Sequence, residues 1–353
     1  MRVSLVTLGD PKRLSGGYLF HRRMAEGAHL HGATLSFVSF HEYHFPAPAL
    51  TGRSVVSRLK EQSPDVVVLD SIAAAFTLPW LGRVGRPLAA MIHQPPGGID
   101  HGYWRTVLQR RLDVATYRRC ERVLVASATL AEDIAANGIS QARIAVVPPG
   151  RDLGPLPSSR LDLRMDRQAA LLCIGNWVKR KGIIDLLRAV ALLPDDLATL
   201  HLVGDEDIDR IYGHAVMKML EAEGLKTRVV AHGPLSREQV AEMYASADVF
   251  VLPSYREPYG TVYGEAMAAG LPVVGWAAGN LPHLASNGME GFIVPTGNIE
   301  ELALALEKLC RDPALRGRMA RSAEERGKSL PTWQQSTDSF FSELRALVTA
   351  QTT

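Results

Sequence analysis

What constrains this chain most is a rhythm. Short apolar runs rich in Val, Leu and Ile recur along it, each followed by a longer stretch with helical periodicity. Strands that are apolar on both faces must be covered on both faces, so this alternation reads as parallel sheet flanked by helices. The first series of runs is RVSLVTL (2–8), ATLSFVSF (33–40), DVVVLD (65–70), PLAAMIH (87–93), RVLVAS (122–127) and RIAVVP (143–148). The second is AALLCIG (169–175), ATLHLVG (198–204), RVVAHG (228–233), DVFVLP (248–253), PVVGW (272–276) and FIVP (292–295). Six and six predict two doubly wound α/β domains, and 353 residues is about twice the usual domain length.

Between the two series, PPGRDLGPLPSSRLDLR (148–164) is dense in Pro, Gly and Ser and has the composition of a linker. We therefore expect domains over residues 1–152 and 165–330. The tail, 331–353, carries Trp333, Phe340, Phe341, Leu344 and Leu347 near one helical face, which needs an apolar partner. A hydrophobic share of 46% with 22% charged residues excludes disordered, collagenous and coiled-coil classes. Cys120, Cys173 and Cys310 lie far apart, without disulfide-framework or zinc spacing, which fits a reducing, cytoplasmic setting. No stretch reads as a signal peptide or a membrane span.

Ligands of open parallel sheets bind at the carboxyl ends of the strands, so the loops after strands are where chemistry is expected. The most informative is SYREPYGTVYGEAMAAGLPVVGWAAG (254–279), which sets Glu257 and Glu265 eight residues apart. Pro258 biases Glu257 toward an extended, loop conformation. A helix then starts near Gly260, and the free amides of Gly260, Thr261 and Val262 form an anion seat. Glu265, about one turn inside, can accept hydrogen bonds from vicinal hydroxyls of a ligand whose phosphates occupy those amides. In CIGNWVKRKGIIDLLRAV (173–190), Lys179, Arg180 and Lys181 stand just before a helix beginning near Gly182. Cations there oppose the helix dipole, so a bound anion such as a diphosphate would account for them.

The segment EPYGTVYGEAMAAGLPVV resembles the E-x7-E signature of glycosyltransferase family 4, retaining enzymes of the GT-B fold. That resemblance implies two Rossmann-like doubly wound domains facing a cleft, with a C-terminal helix crossing back to the first. It also implies that Glu257 lies by the transferred sugar and that Glu265 binds the nucleotide ribose. The basic segment is similar to the family's G-R-x-x-x-x-K-G, which makes Lys181 the residue that neutralises the diphosphate. Asn176 stands where the family usually has Arg, so either Lys179 or Arg180 is left to supply the missing charge. Gly16–Gly17 matches the family's glycine loop against the phosphates, and His93, ending its strand, matches a His near the sugar. Backbone near Leu235, in HGPLSREQVAEMYASADVFVLPS (232–254), would contact the base, and VVPPGRD (146–152) resembles the interdomain segment.

The resemblance therefore implies a metal-independent retaining hexosyltransferase, using a nucleoside diphosphate sugar and an acceptor that is a glycan, a lipid or a small molecule. Catalytic roles would fall to Glu257, His93 and Lys181, and no cofactor is called for. A nucleotide-sugar hydrolase or epimerase of the same fold, or a non-catalytic partner subunit, is the alternative. Asp205-Glu206-Asp207 spells a metal motif of another glycosyltransferase fold but reads better as a loop and helix start. No dinucleotide, P-loop or nucleophile-elbow motif is present, and nucleic acid is not an expected partner.

Charge is unevenly spread. Residues 1–152 hold 18 Lys and Arg against 12 Asp and Glu, leaving 21 against 25 in the rest. The excess is concentrated in WRTVLQRRLDVATYRRCER (104–122), which reads as an amphipathic helix with a basic outer face. Arg105, Arg110 and Arg111 are candidates to hold an anionic acceptor or to rest peripherally on the inner face of an anionic membrane.

Overall fold

The computed structural model describes residues 1–11, 16–151, 156–158, 160–222 and 224–350. The chain divides into two compact units, one formed by Met1–Gly150 together with the segment from Pro331, the other by Arg151–Leu330.

The first unit holds a six-stranded parallel sheet: β1 (Arg2–Leu8), β2 (Thr34–Phe40), β3 (Val66–Asp70), β4 (Leu88–Ile92), β5 (Arg122–Val125) and β6 (Ile144–Val146), in the order β2-β1-β3-β4-β5-β6. Every residue of β3 and β4 is buried, as expected of central strands covered by helices on both faces. The second sheet contains β7 (Ala169–Ile174), β8 (Ala198–Val203), β9 (Val229–Ala231), β10 (Val249–Val251), β11 (Val273–Trp276) and β12 (Gly291–Val294), ordered β12-β11-β10-β7-β8-β9. Each of the twelve apolar runs thus yields a strand. Both sheets are doubly wound, but the order reverses between β1 and β3 in one and between β7 and β10 in the other. At such a switch point adjacent loops diverge to opposite faces and leave a crevice.

The C-terminal helix Trp333–Thr349 belongs to the first unit. Thr332 and Gln335 form a capping box at its start, and Phe340, Phe341 and Leu344 are completely buried in that unit's core. Burial at about 1.5–3 kcal/mol per large apolar side chain is the main force seating it. The Ser336 hydroxyl also donates to the Pro148 carbonyl at 2.7 Å, and Arg122 pairs with Glu343.

One helix is shorter than its sequence pattern. The expected 104–122 element is a helix only over Tyr103–Tyr117, and Arg122 opens β5. The Arg119 and Cys120 amides turn to the nearer carbonyls of Thr116 and Tyr117, and Arg143 donates to the carbonyls of Tyr117, Arg118 and Cys120, so the chain is gathered into a closed end.

Candidate functional site

In the second unit the switch point lies between the loops after β7 and β10. The β7 loop ends in a tight turn, Lys179–Lys181, followed by Gly182 at φ 68°. A Cβ on Gly182 would stand 2.1 Å from the Pro253 carbonyl oxygen, so only glycine lets the loops approach this closely. They are then laced together: the Arg180 carbonyl accepts from the Tyr255 amide at 2.8 Å and from the Ser254 hydroxyl at 3.1 Å. The lacing brings Lys181 Nζ into an ion pair with Glu257 Oε2, while Arg180 Nη1 stands 3.8 Å from the same oxygen. The Lys181 and Glu257 side chains are only 10% and 13% exposed, so their attraction is screened less than that of a surface pair.

Glu257 is also held from behind. Its carbonyl accepts from the Asn280 amide at 3.0 Å, and Gly279, at φ 58°, lies so close that a Cβ would be 2.6 Å from that carbonyl. The Asn280 side chain in turn donates to the Tyr259 carbonyl at 2.9 Å. Gly260, at φ 85°, caps the helix Thr261–Ala268 without a side-chain hydrogen bond; its carbonyl accepts from the Tyr263 amide at 3.0 Å, and helix geometry directs the earlier amides of Thr261 and Val262 past the helix start.

On that helix Glu265 Oε2 accepts a 3.1 Å hydrogen bond from the Tyr244 hydroxyl, and Arg237 Nη2 stands 4.0 Å from Oε1. Tyr244, on the helix Arg237–Ser246, is fully buried. Burial first, and the neighbouring Glu265 charge second, push its pKa far above the usual tyrosine range, so it remains a donor. Leu235 is half-buried against the core one residue before Ser236 caps the Arg237–Ser246 helix. Asn176 is exposed and its side-chain oxygen accepts from the Asp205 amide at 3.3 Å. Of the two cations that could stand in for the missing Arg, Arg180 approaches Glu257, whereas Lys179 is exposed. Asp205 accepts from the Asp207 amide at 2.9 Å and Asp209 caps the following helix, so this acidic run is a loop and helix start.

The first unit gathers a different set at its switch point. Asp70, ending β3, accepts from Thr7 of β1 at 2.7 Å and meets His21 Nε2 at 3.0 Å. Burial works against the ionised carboxylate, but His21, His93 and Thr7 outweigh it and bring the pKa down to about 2. The His21 ring meets His93 edge-on, with centroids 4.8 Å apart, and Phe20 meets His93 at the same separation. Burial lowers the His93 pKa to about 3, the charge of His21 adding to the effect and Asp70 opposing it. Gly17, within the helix Gly16–Gly27, faces this ring: a Cβ there would be 3.5 Å from His93 Cδ2. Gly17 and His93 are therefore neighbours.

Arg105, Arg110 and Arg111 share the Tyr103–Tyr117 helix but not one environment. Arg105 lies over the Phe45 ring, Arg110 donates to Asn137 Oδ1, and Arg111 is exposed. Sequence reasoning missed Tyr244, Asp70, His21 and the Gly279–Asn280 clamp. Asp70 carries a readable sign, an acid ending an otherwise apolar central strand, whereas nothing local marks Tyr244.

Residues 162–326 match the family model described as glycosyl transferases group 1, and residues 1–154 match the model for glycosyltransferase family 4. The D-inositol 3-phosphate glycosyltransferase of Arthrobacter sp. (strain FB24) is 36% identical over 194 residues, 51% of this chain and 45% of that protein. The mannosylfructose-phosphate synthase of Agrobacterium fabrum is 29% identical over 238 residues, 63% of this chain and 52% of that protein. The matches thus span about half the length of these curated relatives. Among solved structures, the sucrose-phosphate synthase of Thermosynechococcus elongatus superposes with a TM-score of 0.86 at 22% identity, covering 99% of each chain. The Anabaena protein HepE, solved with UDP and glucose, gives 0.82 at 19% identity, covering 98% of this chain and 100% of that one.

Proposed function

Because the chain belongs to the GT4-type glycosyltransferases of the GT-B fold, we propose that it moves a sugar from a nucleoside diphosphate donor to an acceptor with retention of anomeric configuration. The observation that carries this reading is the convergence of Lys181, Arg180, Glu257 and the uncapped Thr261–Ala268 helix start at one switch point. Cleavage of the sugar–phosphate bond leaves negative charge on the diphosphate. Two fixed cations and outward amides stabilise that charge without reorganising at the moment of reaction, and in this reading they take the part a metal ion plays elsewhere.

Glu257 then exchanges its cationic partners for hydroxyls of the transferred sugar, and Glu265, with one oxygen held by Tyr244, presents the other to the ribose diol. His93, kept neutral by burial, can orient or accept from a sugar hydroxyl without adding charge. No side chain is cast as a covalent nucleophile: the acceptor oxygen attacks the anomeric carbon from the face the phosphate leaves, and the departing phosphate oxygen takes its proton. The occurrence of UDP with glucose in HepE makes UDP-glucose the first donor to try.

Thermal shift with UDP-, GDP- and ADP-sugars identifies the donor, since a ligand bound to the folded state raises the melting temperature. Product anomer is then read by NMR in the presence of candidate acceptors. A β-linked product from an α-donor, or rapid acceptor-free turnover, would overturn the proposal, the latter in favour of a hydrolase.

A further inference from the structure

The Tyr103–Tyr117 helix presents an outer face that is left exposed among the described residues. Trp104, Leu108 and Arg111 succeed one another at helical spacing and share that face. Trp104 is 81% exposed, Tyr103 73% and Leu108 48%. Large apolar side chains grouped this way are unusual on a surface with no partner. The Arg105 guanidinium, over the Phe45 ring at 5.4 Å, ties the helix start to the 43–50 segment, where Tyr43 is 57% and Leu50 83% exposed. Exposed arginines accompany the aromatic group along the helix: Arg105 and Arg111 within it, and Arg118 and Arg119 just past its far end. Asp113, the acid within this helix, is buried and accepts from the Gly97 amide at 2.9 Å, so it does not offset them outside.

We propose that this face seats the protein peripherally on an anionic lipid bilayer. Tryptophan and tyrosine favour the headgroup level, where a ring can be apolar on one side and wet on the other. Arginines flanking them reach lipid phosphates while their stems stay against apolar surface. Charge complementarity selects the bilayer over a second copy of the chain, which would bring like-charged arginines together. It selects the bilayer over a soluble anion because a lone phosphate gives Trp104 and Leu108 nothing to bury against. No helix among the described residues is long and apolar enough to cross a membrane, so the contact is with the surface.

The test uses the full chain and sedimentation with phosphatidylcholine vesicles, with and without 30% phosphatidylglycerol, in the absence of any sugar nucleotide. Its outcome is therefore independent of the transferase proposal. Binding to the anionic vesicles is expected, weakening as salt rises, with a blue shift of tryptophan emission. Arg111→Gln is expected to lower vesicle affinity about fivefold, the effect of one arginine near such a surface. Trp104→Ser with Leu108→Ser is expected to lower it at least about tenfold by removing apolar burial. Unchanged melting temperatures show that these exposed positions leave the fold intact.

Failure of the wild type to sediment with anionic vesicles overturns the proposal, as does equal binding by the wild type and both variants. Complete displacement by inorganic phosphate at constant ionic strength assigns the face to a soluble anion and also overturns it. A wild-type dimer in lipid-free light scattering that Trp104→Ser renders monomeric assigns the face to a second copy, with the same consequence.

Discussion

The two switch points solve opposite electrostatic problems. Between β7 and β10, Glu257 is met by Lys181 and Arg180 from a neighbouring loop, in a partly shielded setting. Between β1 and β3, Asp70 is locked by Thr7 and His21, and the next ring outward, His93, is forced neutral by burial. The first, proposed above to receive a diphosphate, meets its acid with full positive charges. The second, proposed to meet neutral hydroxyls, keeps its charge on Asp70 beside a ring that burial holds neutral. If the contrast holds, removing charge from the first should damage transfer, whereas removing the ring from the second should alter how stability depends on pH.

The largest effect is expected at Lys181. Lys181→Ala removes the cation nearest the position assigned to the diphosphate and leaves Glu257 with Arg180 at 3.8 Å alone. Loss of one preorganised stabiliser of developing charge costs about 10²–10³ in kcat. Steady-state transfer from UDP-glucose, or from the donor thermal shift selects, should show that loss, with Lys181→Arg recovering part of it. A loss below about fivefold would mean that the Lys181–Glu257 pair is a structural latch, and the contrast between the two sites would fail.

Next comes His93. With a folded pKa of about 3 against an ordinary 6.5, the folded state binds fewer protons than the unfolded one between those values. Stability from this group is therefore fully present above pH 6.5 and is lost as pH falls toward 3. Between pH 8 and pH 5 the loss amounts to about 2 kcal/mol. Asp70, with a pKa of about 2, contributes only at lower pH, over a window from about 3.8 down to 2. Urea titrations at pH 8 and pH 5 should show that His93→Gln shrinks the acid-induced loss by about 2 kcal/mol, whatever its effect at pH 8. An unchanged difference would mean that the ring is not held neutral by burial.

How much of this was legible beforehand follows the same division. Strands and loops were readable because a strand covered on both faces must be apolar throughout, as in VVVLD and LAAMI. Glu257, Lys181 and Gly260 were readable because they lie in loops, where charge and glycine have no structural duty to hide behind. Tyr244 was not, because in MYASADVF a tyrosine at helical spacing looks like any core residue. Only the folded structure carries its hydroxyl across to Glu265, 21 residues on. The end of the Tyr103–Tyr117 helix escaped for a similar reason: its last carbonyls are met by Arg143, 26 residues beyond Tyr117.

The finest probe is Tyr244 itself, because it separates Glu257 from Glu265. Glu257 is balanced by full positive charges, Glu265 by a neutral hydroxyl on one oxygen, with Arg237 at 4.0 Å from the other. Tyr244→Phe keeps the buried ring and removes one hydrogen bond to a charged group, worth about 1.5 kcal/mol, or roughly tenfold. If Glu265 grips the ribose, that factor falls on donor KM and on UDP affinity measured by calorimetry, while kcat changes little. Discrimination between UDP and its 2′- and 3′-deoxy forms should narrow as well, an effect that loosened packing alone would not produce. A fall in kcat with KM unchanged would instead bring Glu265 to the reacting sugar, and the two glutamates would then act as one unit.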